Sequence, residues 1–112
     1  MIPALTDSDL KKYHDNQEVL HQTALQVIKD FGMFGMDIEF PDNIKYAYDE
    51  LYEQLEPQLR SLLDSNNKTI LSLLYQIDIP EIHIRRKASA MPERPLSEVI
   101  AEMVLTRELK KV

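Results

Sequence analysis

Apolar residues recur along much of this chain at steps of three and four, the spacing of one face of an α-helix. The clearest run is the second, which consists of Ile44, Tyr48, Leu51, Tyr52, Leu55, Leu59, Leu62 and Leu63. Asp42 or Asn43 precedes this run as a candidate cap. Pro57 lies inside it, and because the spacing continues past the proline, we expect one kinked helix in preference to two separate ones.

An earlier run predicts a first helix that begins near residue 7, where Thr6 and Asp9 resemble a capping box. Its predicted inward face is Leu10, Tyr13, Leu20, Ala24, Val27, Ile28 and Phe31. Gly32 follows directly, at a place where helices commonly end on a glycine in the left-handed conformation. We therefore expect this helix to end at Gly32.

Three shorter helices are predicted after the polar turn at residues 64–67. The first of them carries Ile70, Leu71, Leu74 and Ile77, the next covers about 80–90, and the last starts at Pro95 with Leu96, Val99, Ile100, Met103 and Leu105 inward. The pattern predicts an all-α fold, a bundle of four to five helices in one domain over residues 1–112. A long antiparallel hairpin of the first two helices is expected, with the shorter C-terminal helices packed across it.

The connection from Gly32 to Pro41 is unusually apolar, whereas connections normally run over the surface and are polar. Its apolar residues are Met33, Phe34, Met36, Ile38 and Phe40. From residue 36 to residue 40, apolar and acidic residues alternate, which is typical of a short half-buried strand. Two interpretations stay open: a lid over the helical core, or a contact surface for a protein partner or a second copy of the chain.

Charge divides the chain into two unequal halves. Residues 1–66 carry 13 acidic and 5 basic groups, whereas residues 67–112 carry 6 acidic and 8 basic groups, within an overall net charge of −6. An acidic first half repels phosphate backbones and anionic lipid surfaces. With no cysteine, no signal peptide pattern and no long apolar run, we expect a cytoplasmic protein without a membrane contact.

Candidate catalytic chemistry is sparse. Two glycines cannot build a phosphate-binding loop. His14, Glu18 and His21 share one helix face, and Glu18 with His21 has the Glu-x-x-His spacing of di-iron bundles, but those sites need a second copy that is missing here. The sequence therefore predicts no catalytic residue, no cofactor and no metal ligand, and hence no enzyme.

Residues 70–90 offer an alternative function. A short helix, a tight turn and a basic helix with His83, Arg85, Arg86 and Lys87 resemble a helix-turn-helix nucleic-acid reader. Two departures from such motifs oppose this interpretation. Bulky Leu74 occupies a position where the motif usually packs a small residue, and Asp78 occupies the position where a glycine commonly makes the turn. The acidic first half would also oppose docking on nucleic acid.

The runs Leu73-Leu74-Tyr75-Gln76-Ile77-Asp78 and Ile100 to Leu109 are similar to small uncharacterised bacterial helical proteins. The resemblance covers about the last forty residues and implies no activity. We therefore expect a small non-catalytic adaptor or regulatory domain that binds a protein partner or itself. A helix-turn-helix-like nucleic-acid-binding protein is the alternative.

Overall fold

The computed structural model describes residues 17–111 and shows an all-α bundle without a strand in that range, so the predicted fold class is confirmed. The helices are α1 (Gln17–Gly32), α2 (Ala47–Asp64), α3 (Thr69–Ile77), α4 (Glu81–Ala90) and α5 (Leu96–Lys111), with one 3-10 turn at Ile44–Tyr46. The predicted start of the first helix near residue 7 lies outside the described residues.

Helix α5 lies at the centre of the bundle, in contact with each of the other four helices. Its pair with α2 is the most extensive, followed by its pair with α1. Buried residues occur on several of its faces: Ser97, Val99, Ile100, Ala101, Val104, Leu105, Glu108 and Leu109. The last helix, expected to be one of the shorter ones, spans 16 residues and makes more extensive contacts with α2 and with α1 than those two helices make with each other.

Helix α2 follows its predicted stripe closely. Leu51, Leu55 and Leu59 are fully buried, and Tyr48 and Tyr52 are half-buried against the core. The helix runs without a break from Ala47 to Asp64. The alternative of two helices separated at Pro57 is thus wrong, since the proline lies on an exposed position of a continuous helix.

Three helices end on the same left-handed turn. At each end, an N–H bonds back five residues to a helix carbonyl: Met36 to Phe31, Asn67 to Leu62 and Ile79 to Leu74, at 2.9 to 3.1 Å. The residue directly before each donor has a positive φ angle: 75° at Gly35, 53° at Asn66 and 68° at Asp78. This is the Schellman arrangement, which satisfies the last helix carbonyls.

The connecting segment, residues 33–41, lies against α2 as a lid. Gln54 accepts a hydrogen bond from the Glu39 N–H at 2.8 Å and donates one to the Glu39 carbonyl at 2.9 Å. Gln58 donates to the Asp37 carbonyl at 3.1 Å. The alternation predicted a strand here, but among residues 17–111 these glutamine side chains, not a second strand, bind its backbone.

Candidate functional site

An open groove on one side of the bundle has a mostly apolar lining. It lies where the end of α2, α3, α4 and the start of α5 meet, and its volume is about 480 Å³. This apolar groove is lined by Leu63, Ile70, Leu71, Leu74, Glu81, Ile84, Arg85, Ala88, Ser89, Leu96 and Ile100. A volume of this size falls within the range of pockets that hold drug-sized ligands or several partner side chains.

Two leucines of the apolar groove are unusually exposed. Leu71 on α3 is 54% exposed and Leu96 at the start of α5 is 42% exposed, although the sequence pattern placed both inside. Tyr75 on α3 and Ile82 on α4 are also exposed, but neither lines the groove. Single exposed apolar residues are ordinary, whereas two exposed leucines beside an apolar groove make it a candidate binding surface.

The charged residues around the apolar groove belong to α4. Arg85 forms an ion pair with Glu81 at 2.9 Å on the exposed side of the helix. Arg86 is exposed beside it and belongs to no ion pair within residues 17–111. With Lys87, α4 carries three cationic residues and one acidic residue, so this helix is basic in an otherwise acidic protein.

A second depression, the polar cleft, lies on the other side of α4. It has a volume of about 350 Å³ and is bounded by α2, the α3–α4 turn, α4 and α5. Its lining residues are Tyr48, Asp78, Ile79, Pro80, His83, Lys87, Glu102, Met103, Thr106, Arg107 and Lys110. The cleft therefore combines an apolar floor with charged groups from three parts of the chain.

Both acidic residues of the polar cleft are already paired. Arg107 donates to Asp78 at 3.1 Å, and Arg94 donates to Glu102 at 2.7 Å. Lys87 and Lys110 form no ion pair among the described residues. The cleft therefore contains two lysine charges that its own carboxylates do not neutralise.

Hydrogen bonding and burial shift two groups beside the polar cleft. Burial, together with the nearby Glu102 carboxylate, raises the pKa of Tyr48 to about 12, so its hydroxyl keeps its proton at neutral pH. Hydrogen bonds to Glu102 and Glu98 raise the pKa of Arg94, which therefore stays charged. The pair of Arg94 and Glu102 is thus a fixed element of the cleft wall.

A buried group of polar side chains, the carboxyl cluster, joins α1 to the last turn of α5. Asp30 and Glu108 are almost completely excluded from solvent. Lys111 Nζ lies 3.1 Å from an oxygen of each carboxyl group, and Gln26 donates to both oxygens of Asp30 at 3.1 Å. Neither oxygen of Glu108 accepts a well-aligned hydrogen bond from the described residues.

The two carboxyl groups of the cluster are shifted in opposite directions. Burial and the neighbouring Asp30 raise the pKa of Glu108 to about 8. Burial also acts to raise the pKa of Asp30, but hydrogen bonds from Glu108, Gln26 and Lys111 outweigh it and lower that pKa. At neutral pH, Glu108 is therefore protonated, and its hydroxyl can donate a hydrogen bond to the Asp30 carboxylate. Two ionised carboxylates could not form this bond, because neither carries a proton.

The five residues predicted as a partner surface are divided by the structure. Met36 and Ile38 are core residues, and Phe34 packs against the core. Met33 is 58% exposed, and the 39% exposed ring of Phe40 lies 5.0 Å from that of His21. Met36 and Ile38 are thus removed from any surface because they fill the bundle end under the connecting segment.

The four basic residues of the helix-turn-helix alternative do not lie on one surface either. His83 and Lys87, one turn apart on α4, line the polar cleft. Arg85 lines the apolar groove and is paired with Glu81. The basic residues therefore do not form one face of α4.

Residues 17–111 contain neither a cluster of metal-ligating side chains nor a membrane-spanning helix. There, no three or more histidine, aspartate or glutamate side chains are placed to hold one metal ion. His14, which the sequence grouped with Glu18 and His21, lies outside that range. None of the helices in the described part is both long enough and apolar enough to cross a bilayer.

The apolar groove and the polar cleft give this all-α bundle candidate binding surfaces on both sides of α4. Comparison of the chain with protein-family models, with curated proteins and with solved structures found no match.

Proposed function

We propose that this protein is a small non-catalytic adaptor that binds an amphipathic, acidic helix of a partner protein in the apolar groove. The observation that supports this most strongly is the groove itself, an open apolar depression flanked by exposed Leu71 and Leu96. A helix with apolar residues one turn apart is a common occupant of such a groove. This proposal moves the partner surface from the connecting segment to α3, α4 and α5.

The net positive charge of α4 supports an acidic partner. Arg85 lines the apolar groove and is paired there with Glu81, and Arg86 follows it as an exposed residue of the same helix. Acidic residues flanking the apolar face of a partner helix would meet these arginines at the rim. Complementary rim charges mainly raise the association rate and select among partners, while the apolar contacts supply the affinity.

A defined peptide tests this proposal. The probe is a fluorescent helical peptide of about 18 residues, about five turns, with leucines along one face and glutamates elsewhere. Matched peptides carry lysines in place of the glutamates or the same residues in shuffled order. Fluorescence anisotropy with the full chain should give saturable binding at about 100 μM or tighter, weaker for the lysine peptide and absent for the shuffled one.

Two matched substitutions locate the site. Leu71→Glu places a charge in the groove and should weaken binding by about tenfold or more, since it also repels the acidic peptide. Leu25→Glu makes the same change at a comparably exposed leucine on α1 and should leave binding within about twofold. Equal losses in both variants, equal binding of the shuffled peptide or no saturable binding would contradict the proposal. Self-association that Leu71→Glu abolishes would instead assign the groove to a second copy.

A second candidate function is nucleic-acid binding through residues 69–90. The observation that favours it is Asp78, which adopts the left-handed conformation that glycine usually supplies in a helix-turn-helix. The turn between α3 and α4 is therefore tight in spite of the missing glycine. The separation of the basic residues on α4 argues against it, so it ranks second.

A further inference from the structure

The polar cleft carries chemistry that the proposed adaptor function does not use. We propose that it binds a small organic phosphate, a phosphate monoester whose anionic group lies between Lys87 and Lys110. Its apolar part would lie on the cleft floor at Ile79 and Met103.

The charge follows from the ion pairs in the cleft wall. Asp78 is paired with Arg107, and Glu102 shares Arg94 with Glu98. Lys87 on α4 and Lys110 on α5 also line the cleft, and neither has an ion-pair partner among residues 17–111. A dianion bound in the cleft can offset both lysine charges. A phosphate monoester is mostly a dianion at neutral pH, because its second pKa is about 6.

The other groups of the cleft fit a phosphate ester. Thr106 supplies a hydroxyl group, and His83 adds ring nitrogens one turn before Lys87. Hydroxyl and ring N–H groups donate to phosphate oxygens. Ile79, Pro80 and Met103 provide the apolar surface that a bare inorganic ion would leave unused.

The size of the cleft agrees with a small organic ligand. A volume of about 350 Å³ lies at the lower end of the range found for small-molecule sites. The protein as a whole carries a net charge of −6, so long-range attraction does not bring anions to it. Selectivity for a phosphate ester would therefore arise within the cleft.

The experiment is a ¹H–¹⁵N NMR titration of the full chain at low salt with phenyl phosphate, benzoate and phenol. All three probes contain a phenyl ring. Phenyl phosphate carries a dianionic group, benzoate carries a monoanionic group, and phenol carries no charge. Phenyl phosphate should bind saturably with a Kd near 1 mM, about what a ligand of its size reaches. Its shifts should be confined to Tyr48 and to residues 78–87 and 102–110. Benzoate should bind at least about fivefold more weakly, because it offsets only one of the two lysine charges.

Paired substitutions separate this site from general attraction to basic residues. Lys87→Gln with Lys110→Gln should weaken phenyl phosphate binding by about tenfold or more. Arg85→Gln with Arg86→Gln removes the same charge from the other faces of α4 and should leave it within about twofold. Equal losses in the two double variants, benzoate binding as tight as phenyl phosphate, shifts elsewhere or no saturation would overturn the proposal.

Discussion

At the scale of single residues, the carboxyl cluster raises the question of how two acids can be buried between α1 and α5. An ionised carboxylate is costly to bury without partners, so burial favours the neutral form. Asp30 receives hydrogen bonds from Gln26 and an ion pair from Lys111, and it stays charged. Glu108 keeps a proton and completes the cluster as a donor.

Glu108 gives stability a defined pH dependence. Its pKa is raised from 4.5 to about 8 on folding, so its stabilising contribution is full below pH 4.5 and is lost as the pH rises towards 8. The free energy of unfolding should therefore fall between pH 5.5 and pH 8.5. Urea denaturation across this range measures the change.

Glu108→Gln is the matched control, because glutamine keeps the shape and a donor but does not titrate. The fall in stability between pH 5.5 and pH 8.5 should be much smaller in this variant. The lowered pKa of Asp30 affects stability only below about pH 4, outside the measured range. Parallel pH profiles for the two proteins would show that Glu108 is not protonated in the folded state.

A second residue-scale prediction concerns the connecting segment. Ile38→Ser should lower the free energy of unfolding by about 2–4 kcal/mol, because it leaves a cavity and a hydroxyl in the core. Met33→Ser, at an exposed position of the same segment, should change it by less than about 0.5 kcal/mol. Chemical denaturation of both variants measures this, and similar losses would contradict the assignment of inner and outer residues.

The sequence predicted one of these residue-scale features and missed the other. Alternation from Met36 to Phe40 indicated which side chains point inward, and the structure buries Met36 and Ile38 but leaves Phe40 exposed. The burial of Glu108 could not be predicted from the sequence, because an acidic residue in the charged last turn of a helix is expected to be exposed to solvent. Its burial depends on Asp30, far away in sequence, and no local pattern contains that contact.

At the scale of helices and turns, the end of α1 distinguishes the two glycines. Gly35 has a φ angle of 75°, whereas Gly32, the residue expected to be left-handed, is the last residue of the helix. Helix α1 does end at Gly32 as predicted. The reversal of the chain, however, takes place three residues later.

Alanine at these two positions should have effects of opposite sign. Gly35→Ala should destabilise the protein by about 1–2 kcal/mol, because an alanine Cβ is strained in the left-handed region. Gly32→Ala should be neutral or stabilise by up to about 1 kcal/mol, since alanine favours helix and no atom lies within 4 Å of its Cβ position. Thermal denaturation measures both, and a loss of stability at Gly32 equal to that at Gly35 would contradict the assigned turn.

Helix periodicity predicted α2 well and α5 poorly for one physical reason. Helix α2 buries a single stripe, so Leu51, Leu55 and Leu59 follow the expected spacing. Helix α5 is surrounded by four helices and buries Ala101 and Val104 as well. A central helix has no single apolar face, so a one-face pattern underestimates both its role and its buried residues.

At the scale of the whole molecule, the net charge of −6 bears on the nucleic-acid alternative. In addition, the cationic residues of α4 face different surfaces. We therefore expect only weak, salt-sensitive, non-selective DNA binding. Fluorescence anisotropy with random duplexes at physiological salt measures this, and sequence-selective binding tighter than about 1 μM would instead support the helix-turn-helix function.

The sequence could predict the all-α class but could not predict the groove. Leu71 and Leu96 follow helical spacing like core residues, and both were assigned inward. Their exposure results from the way α3, α4 and α5 meet, which leaves an open depression between them. Such a site becomes visible only when the helices are placed in three dimensions.

The proposed adaptor function requires that an acidic amphipathic helix bind in the apolar groove. Methyl-resolved NMR of the full chain, titrated with the glutamate peptide, detects such binding residue by residue. Saturable shifts are expected at the methyl groups of Leu71, Leu74, Ile84 and Ile100, with little change at Met33 or at Leu25 on α1. Shifts centred on Met33 and the connecting segment, or none in the groove at saturation, would contradict it.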